Sequence, residues 1–356
     1  MSLVFCAEVV TADNVADRYH ALGVDRVAAE TADASSIVFD VPASLSETFT
    51  YAAGQFVTLR VRIEGELLFR SYSMSSSPSV DGNLQVTVKR VPGGVVSNWL
   101  SDSVREGDTL DVSAPRGAFV LDATDEDIVA FAAGSGITPV FSIIKAVLHT
   151  TTRTVRLLVA NHDRGTAIFG DALDDLAAHF PDRLVVEHHE DVVDGFVTEA
   201  DVTRFTGGPR GAGFYICGPD QFMDVVDTAL RSVGVGDESI HIERFTPAAL
   251  GPAEIDEAAA DAVAGAIDVV VTVRNETKTI AQRGRSTILQ SARWAGLRPP
   301  SSCEAGHCAT CMARVVEGGV EMATNNALTA EEVSEGWVLT CQAVPVTSVV
   351  RVVYEP

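Results

Sequence analysis

The residues with the strongest chemical signature lie towards the end of the chain: Cys303, Cys308 and Cys311, answered by Cys341. The spacing C-x4-C-x2-C with a distant fourth cysteine is the ligand pattern of a plant-type [2Fe-2S] cluster. A structural zinc site also uses four cysteines, but it usually takes them as paired C-x2-C knuckles. A loop wrapped this closely round an inorganic core has little room for Cβ branches and often needs positive φ, which Gly306 and the small Ala309 provide. The expected centre is an electron carrier, and it needs a donor.

Two further groups could supply one. In Arg70-Ser71-Tyr72-Ser73, strand alternation sends Arg70 and Tyr72 to one face and Ser71 and Ser73 to the other. Arginine takes phosphate bidentately, an aromatic ring lies on a flat cofactor, and a serine hydroxyl approaches a ring nitrogen. Downstream, Val86 to Arg90 reads as a strand carrying Val88 and Lys89, and Gly94-Val95-Val96-Ser97 as a turn into a helix whose free amides could hold a diphosphate. Ser97 also suits the helix N-cap. The second group begins with the apolar run Ile128 to Ala132, followed by Gly134-Ser135-Gly136-Ile137-Thr138-Pro139. A buried parallel strand, a glycine turn and a helix start form a phosphate cradle, with Thr138 suited to the N-cap and Pro139 to the first helical position. After the strand Val155 to Ala160, Asp163 could bond a ribose diol, while the adjacent Arg164 could accept a 2′-phosphate; NADH is expected over NADPH. His162, His188 and His189 read as surface residues. A last buried strand ends in Cys217-Gly218-Pro219.

Short alternating segments separated by Gly, Pro and Ser make the N-terminal part a small antiparallel β-barrel. An acidic connector, Asp122 to Asp127, precedes an α/β parallel-sheet region. Between Thr246 and Gly265, Pro, Ala and acidic residues without apolar periodicity describe a linker. The final region starts with the strand Asp268 to Val273 and continues through a helix capped by Ser286. A hairpin follows around Glu317-Gly318-Gly319, then a capping box Thr329-x-x-Glu332 and the strand carrying Cys341. The expected limits are 1–122 for the barrel, 123–247 for the nucleotide domain, 248–265 for the linker and 266–356 for an α+β ferredoxin domain.

In this order the motifs resemble the ferredoxin-NADP reductase superfamily, and the whole chain resembles the reductase components of multicomponent oxygenases, most of all those of 3-ketosteroid 9α-hydroxylases. The resemblance implies an FAD-binding barrel in which Arg70, Tyr72 and Ser73 face the flavin, Ser71, Val88 and Lys89 lie beside it, and Gly94, Val96 and Ser97 hold its diphosphate. It implies an NAD-binding domain in which Gly134, Gly136 and Thr138 cradle the dinucleotide. There Cys217, Gly218 and Pro219 receive the nicotinamide, Glu243 balances charge or protons near flavin N5, and Phe245 shields the ring. A β-grasp ferredoxin domain completes it. The implied activity passes electrons from NADH through FAD and [2Fe-2S] to a terminal oxygenase, of Rieske type for the steroid system. A phenylacetyl-CoA epoxidase or an aromatic-ring hydroxylase is the rival partner, and a redox sensor without turnover the rival class. Glu304 departs from the pattern, since many ferredoxin loops carry arginine there.

Composition narrows the setting. A chain of 356 residues with net charge −23 is too long for one small core and repels nucleic acid and anionic membranes. The uncharged stretch Ile128 to Ile144 is short and broken by glycine and proline, so no membrane span is expected. Four of six cysteines belong to the cluster set and the other two, Cys6 and Cys217, are isolated, as in a reducing cytoplasm. No basic segment with a long apolar run opens the chain, so no signal peptide is expected. A monomer is expected.

Overall fold

The alternating segments of the first part pair into one curled antiparallel sheet in the computed structural model. Its order is Glu66–Ser73, Phe56–Ile63, Thr109–Ser113, Tyr19–Ala29, Ala34–Asp40, Leu84–Lys89. Ile37 stands opposite Val27 on one side and Val86 on the other, and Phe39, Val57, Leu59 and Val112 fill the interior. The structure describes residues 3–4, 19–207, 211–245, 267–274, 276–304, 306, 308–325 and 327–354, so the expected linker 248–265 lies outside the described residues. They form two units, Ala21–Glu66 with Tyr72–Phe245, and the C-terminal region with the N-terminal residues and Leu67–Ser71.

The apolar runs after residue 126 become a parallel sheet in the order Leu184–Glu190, Val155–Asn161, Asp127–Ala133, Ala212–Gly218, Ile240–Arg244. Strands Asp127–Ala133 and Ala212–Gly218 are almost wholly apolar because both faces are covered. The helix Ile137–Thr150 packs Ile143, Ile144 and Val147 on one side, and Asp220–Ser232 packs Met223, Val226 and Leu230 on the other. Among the described residues no helix is long and apolar enough to cross a membrane.

The acidic connector does more than join. Arg153, with 3% of its side chain exposed, pairs with Asp122 at 2.9 Å, and the Tyr215 hydroxyl accepts from the Asp122 amide at 2.9 Å. Burial pushes the Asp122 carboxyl up, but the Thr124 hydroxyl and the Arg153 guanidinium outweigh it and hold the group below its ordinary value. It therefore stays ionised at neutral pH, and its stabilising contribution is lost only as pH falls through that lowered value. Arg153→Leu leaves the carboxylate without its cation and is expected to cost about 3 kcal/mol, read as a lower denaturant midpoint at unchanged slope.

In the C-terminal unit the sheet order is Glu276–Ala281, Asp268–Val273, Val349–Tyr354, Met312–Glu317, Trp337–Leu339, with the helix Ile288–Trp294 against it. The central pair, Asp268–Val273 with Val349–Tyr354, is parallel and its neighbours antiparallel, as a β-grasp requires. Several local expectations change. The helix cap is Thr287, not Ser286, because Thr287 and Gln290 close a reciprocal capping box. Glu317-Gly318-Gly319 is a corner, not a hairpin: Met312–Glu317 stays in the large sheet, while Gly319–Met322 joins a second one with Ala343–Pro345 and Leu3–Val4. Gly318 permits the corner at φ 85°, where a Cβ would fall 2.1 Å from the Val349 carbonyl. Leu3 and Val4 pair with Val320 and Gly319, whereas the barrel was expected to begin at residue 1. Cys341 sits on the turn after Trp337–Leu339, not within a strand. The Thr329–Glu332 capping box forms as expected.

Candidate functional site

Strand Glu66–Ser73 leaves Arg70 and Tyr72 half-buried and buries Ser73. Ser73 is 3% exposed, and its hydroxyl has no hydrogen-bond partner among the described residues. A buried orphaned hydroxyl costs about 1–3 kcal/mol, and a partner supplied by a flavin ring there would relieve that cost. Beyond the next strand the turn tightens at Gly94, where a Cβ would lie 2.7 Å from Ser97 Oγ and 2.9 Å from Val91 Cβ. Gly94, not Ser97, is the N-cap of helix Val95–Ser103; Ser97 Oγ instead accepts from the Val91 amide at 3.1 Å and folds the turn. The Val88 and Val96 side chains are buried, so only their backbone could meet a cofactor.

The glycine turn is built by close approach. Gly134 has φ 52°, and a Cβ on Gly136 would stand 2.2 Å from the Cys217 carbonyl oxygen and 2.6 Å from the Gly218 nitrogen. The helix begins at Ile137 with Gly136 as N-cap, so Thr138 lies inside it, its hydroxyl donating to the Ser135 carbonyl at 3.0 Å. Pro139 is tolerated because first-turn amides have no intrahelical acceptor. Cys217 is fully buried and stands in register with Glu243, itself buried. Burial, then the Glu243 carboxylate, pushes its thiol well above the ordinary value, so it is a neutral wall and not a nucleophile. Phe245 is half-exposed one residue beyond the strand.

At the carboxyl ends of these strands lies a cleft of about 290 Å³ lined by Lys89, Gly134, Asn161, Phe196, Pro219 and Phe222 among others. Lys89 reaches it from the barrel, its ammonium 3.8 Å from where a Gly134 Cβ would stand, and it keeps a distant ion pair with Asp33 at 3.7 Å. Helix Ile137–Thr150 is tied to the barrel by residues that no motif flagged. Ser142 Oγ donates to the Ser76 carbonyl at 2.5 Å, Lys145 pairs with Asp81, and Tyr51 and Ser76 share a hydrogen bond of 2.7 Å. These bonds hold the segment just after Ser73 against the helix that starts at the glycine turn.

Asp163 caps the turn that follows its strand, accepting from the Thr166 amide at 3.0 Å. Arg164 is taken up by Asp174 and Asp171 on the next helix, which leaves its charge compensated. His188 pairs with Asp174 at 2.9 Å, while His189 is buried, its Nε2 2.7 Å from the Gly195 carbonyl, and so is not a surface residue.

The four cysteines gather in the C-terminal unit as two pairs. The Cys303 amide donates to Cys308 Sγ at 3.3 Å, and hydrogen bonds from Cys303 pull the Cys308 thiol down to about 6. Cys311 does the same for Cys341, lowering its thiol. Glu304, Gly306 and Ala309 all have positive φ, and a Cβ on Gly306 would fall 2.8 Å from the Thr324 carbonyl. The sulfurs stand two and two, which fits a two-iron cluster in which each iron takes two thiolates. The Glu304 carboxylate accepts from Arg293 Nη2 at 2.6 Å and Nη1 at 3.0 Å, and the Glu304 backbone carbonyl accepts from Gln342 Nε2 at 2.8 Å.

Comparison with known proteins agrees with this layout. Three family models match in order: an oxidoreductase FAD-binding domain over residues 22–121, an oxidoreductase NAD-binding domain over 131–228 and a 2Fe-2S iron-sulfur cluster binding domain over 271–346. The ferredoxin reductase component of 3-ketosteroid-9-alpha-monooxygenase from Mycolicibacterium smegmatis is 40% identical, over 94% of this chain and 96% of that one. The chain belongs to this family of oxygenase reductase components. One subunit of the 1,2-phenylacetyl-CoA epoxidase of Escherichia coli is 33% identical over 95% of this chain and 98% of its own. Phthalate dioxygenase reductase, at 22% identity and TM-score 0.59 over 94% of this chain and 98% of that one, shares the fold. As a reductase component the protein is an oxidoreductase with FAD-binding, NAD-binding and [2Fe-2S] domains. The orphaned Ser73 hydroxyl, the glycine turn and the paired sulfurs each fall inside the matching domain.

Proposed function

We propose that the protein is the NADH-dependent reductase of a 3-ketosteroid 9α-hydroxylating system, delivering electrons to a Rieske-type terminal oxygenase as a cytoplasmic monomer. The observation that carries the steroid reading is identity: relatives named for the ketosteroid monooxygenase reach 37–40%, against 33% for the epoxidase relative. When bound, FAD accepts an electron pair from the nicotinamide and the cluster carries electrons singly. The protein's part is positioning. Arg70 neutralises flavin phosphate, Ser71 and Tyr72 line the ring, and Ser73 donates its spare hydrogen bond to a ring nitrogen. The Gly94 to Ser97 turn offers amides to the diphosphate. Gly134, Gly136 and Thr138 do so for the dinucleotide, with Lys89 as the neighbouring cation. Cys217, Gly218 and Pro219 seat the nicotinamide, Glu243 supplies the carboxylate behind it, and Phe245 covers the flavin face. Asp163 and the compensated Arg164 favour a ribose without a 2′-phosphate. Cys303, Cys308, Cys311 and Cys341 ligate the cluster.

Partner exchange tests the assignment. The purified chain with NADH is expected to sustain hydroxylation by a 3-ketosteroid oxygenase; support for a phenylacetyl-CoA epoxidase and none for the steroid oxygenase would transfer it to the second reading. Independently, Ser73→Ala is expected to slow flavin reduction by NADH on the order of 10- to 100-fold, the worth of one hydrogen bond to a developing charge. Stopped-flow bleaching of the flavin band measures this, and an unchanged rate removes Ser73 from the site.

A further inference from the structure

Gln342 follows the last cysteine of the set, and its place is fixed from several sides. Its backbone amide donates to the Leu339 carbonyl at 2.8 Å, while its own carbonyl accepts from the Ala323 amide at 3.1 Å. The side chain turns back towards the cluster loop. There Nε2 donates to the Glu304 carbonyl at 2.8 Å and stands 3.6 Å from Cys341 Sγ, a length that the larger radius of sulfur allows. A primary amide carries two N–H groups, so it can serve both acceptors at once. Its stem fits because residue 306 is glycine: a Cβ there would lie 3.1 Å from Gln342 Cγ. The carbonyl that aims the amide belongs to an anchored residue, since Arg293 holds the Glu304 carboxylate at 2.6 and 3.0 Å. On the other side of Cys341 the hydroxyls are spent on oxygen. Tyr354 donates to Thr340 Oγ1 at 2.7 Å, and Thr340 Oγ1 donates to the Cys311 carbonyl at 2.7 Å.

We propose that Gln342 is a positioning residue for electron transfer, its side-chain amide donating to the Cys341 sulfur and so holding the reduction potential of the centre up. Reduction brings in one electron and no proton, which makes the thiolate sulfurs more negative. A fixed N–H beside one of them is therefore bonded more strongly in the reduced state than in the oxidised one, and hydrogen bonds to the sulfurs are among the levers that set such potentials. The Glu304 carbonyl supplies the aim and Cys341 receives the effect. A raised potential favours the step from the flavin at the expense of the step to the acceptor, so this one amide adjusts the balance between them. The inference rests on the reading of the four cysteines as [2Fe-2S] ligands.

The test uses the FAD- and cluster-loaded full chain, titrated with dithionite and mediator dyes while the cluster absorbance is followed. Gln342→Met keeps the length of the stem and removes the donor. It is expected to make reduction roughly 3- to 10-fold less favourable, about 30 to 60 mV lower for a one-electron couple. Gln342→Glu, which sets a carboxylate where the donor was, is expected to lower the potential at least as far. The rate at which a chelator strips the iron, with thermal unfolding beside it, separates this role from a scaffolding one. If Gln342 only braces the Glu304 carbonyl, the variants lose iron faster at a potential equal to the parent's, and the inference is overturned. A variant that holds no cluster at all overturns it too, because the residue is then structural. Should the parent itself contain no [2Fe-2S] centre, the ligand reading fails and the inference with it.

Discussion

Cys308→Ser is expected to remove the [2Fe-2S] centre and cut electron delivery to a terminal oxygenase at least 100-fold, while flavin reduction by NADH and direct ferricyanide reduction survive. In the proposed centre each thiolate would bond iron directly, and a serine hydroxyl, far less acidic than a thiol, is a poor substitute. The pairing of the sulfurs makes the effect general: Cys303 and Cys308 face each other, as do Cys311 and Cys341, so losing one member strands its partner. The ferredoxin fold should loosen as well, because the loop holds Glu304, Gly306 and Ala309 at positive φ, a strained arrangement for the non-glycine pair. Visible absorbance and low-temperature electron paramagnetic resonance of the dithionite-reduced protein decide it. A normal cluster signal in both Cys308→Ser and Cys341→Ser would refute the ligand assignment, as would zinc in the parent.

Gly136→Ala is expected to reduce hydride delivery by two orders of magnitude or more without expelling FAD or the cluster. The added methyl would lie 2.2 Å from the Cys217 carbonyl oxygen and 2.4 Å from its carbonyl carbon. These are backbone atoms, so a rotamer change cannot relieve the clash. Either the turn lifts from the strand Ala212–Gly218 or the strand yields, and each displaces the wall proposed to seat the nicotinamide. A misplacement near 1 Å costs on the order of 100-fold in rate, and overpacking typically costs 1–3 kcal/mol in stability. Stopped-flow reduction at saturating NADH, with flavin content and cluster absorbance as controls, measures the effect on rate. A near-normal rate would show that the nicotinamide does not sit at this turn. Gly134→Ala offers a contrast: its nearest neighbour is the flexible Lys89 ammonium at 3.8 Å, so only its φ of 52° opposes a side chain.

Much of this was legible because the informative residues act locally. Iron ligation demands particular side chains at close spacing, so Cys303, Cys308 and Cys311 stand out as the proposed ligands. The parallel sheet shows in Ile128 to Ala132 because burial on both faces removes the polar alternation. Capping boxes close over three residues, and Thr329–Glu332 was therefore readable, whereas Ser286 and Thr287 are adjacent candidates that only the helix register separates. The corner at Gly318 looked like a hairpin because a glycine pair permits both; the choice rests on which sheet accepts the second strand.

From the linear order of residues alone came the three modules, their cofactors, the cysteines proposed to hold the cluster and the glycine turn, all set by chemistry spanning a few positions. Tertiary structure alone decided which polar atoms go unsatisfied, Ser73 Oγ and Asn161 Oδ1 among them, and that Arg293 answers Glu304 across the cluster loop. It alone placed Lys89 beside Gly134 and left Phe196 exposed. The reason is physical: burial and pairing are properties of the packed neighbourhood, brought together from segments far apart in the chain, and no spacing rule encodes what packing leaves without a partner.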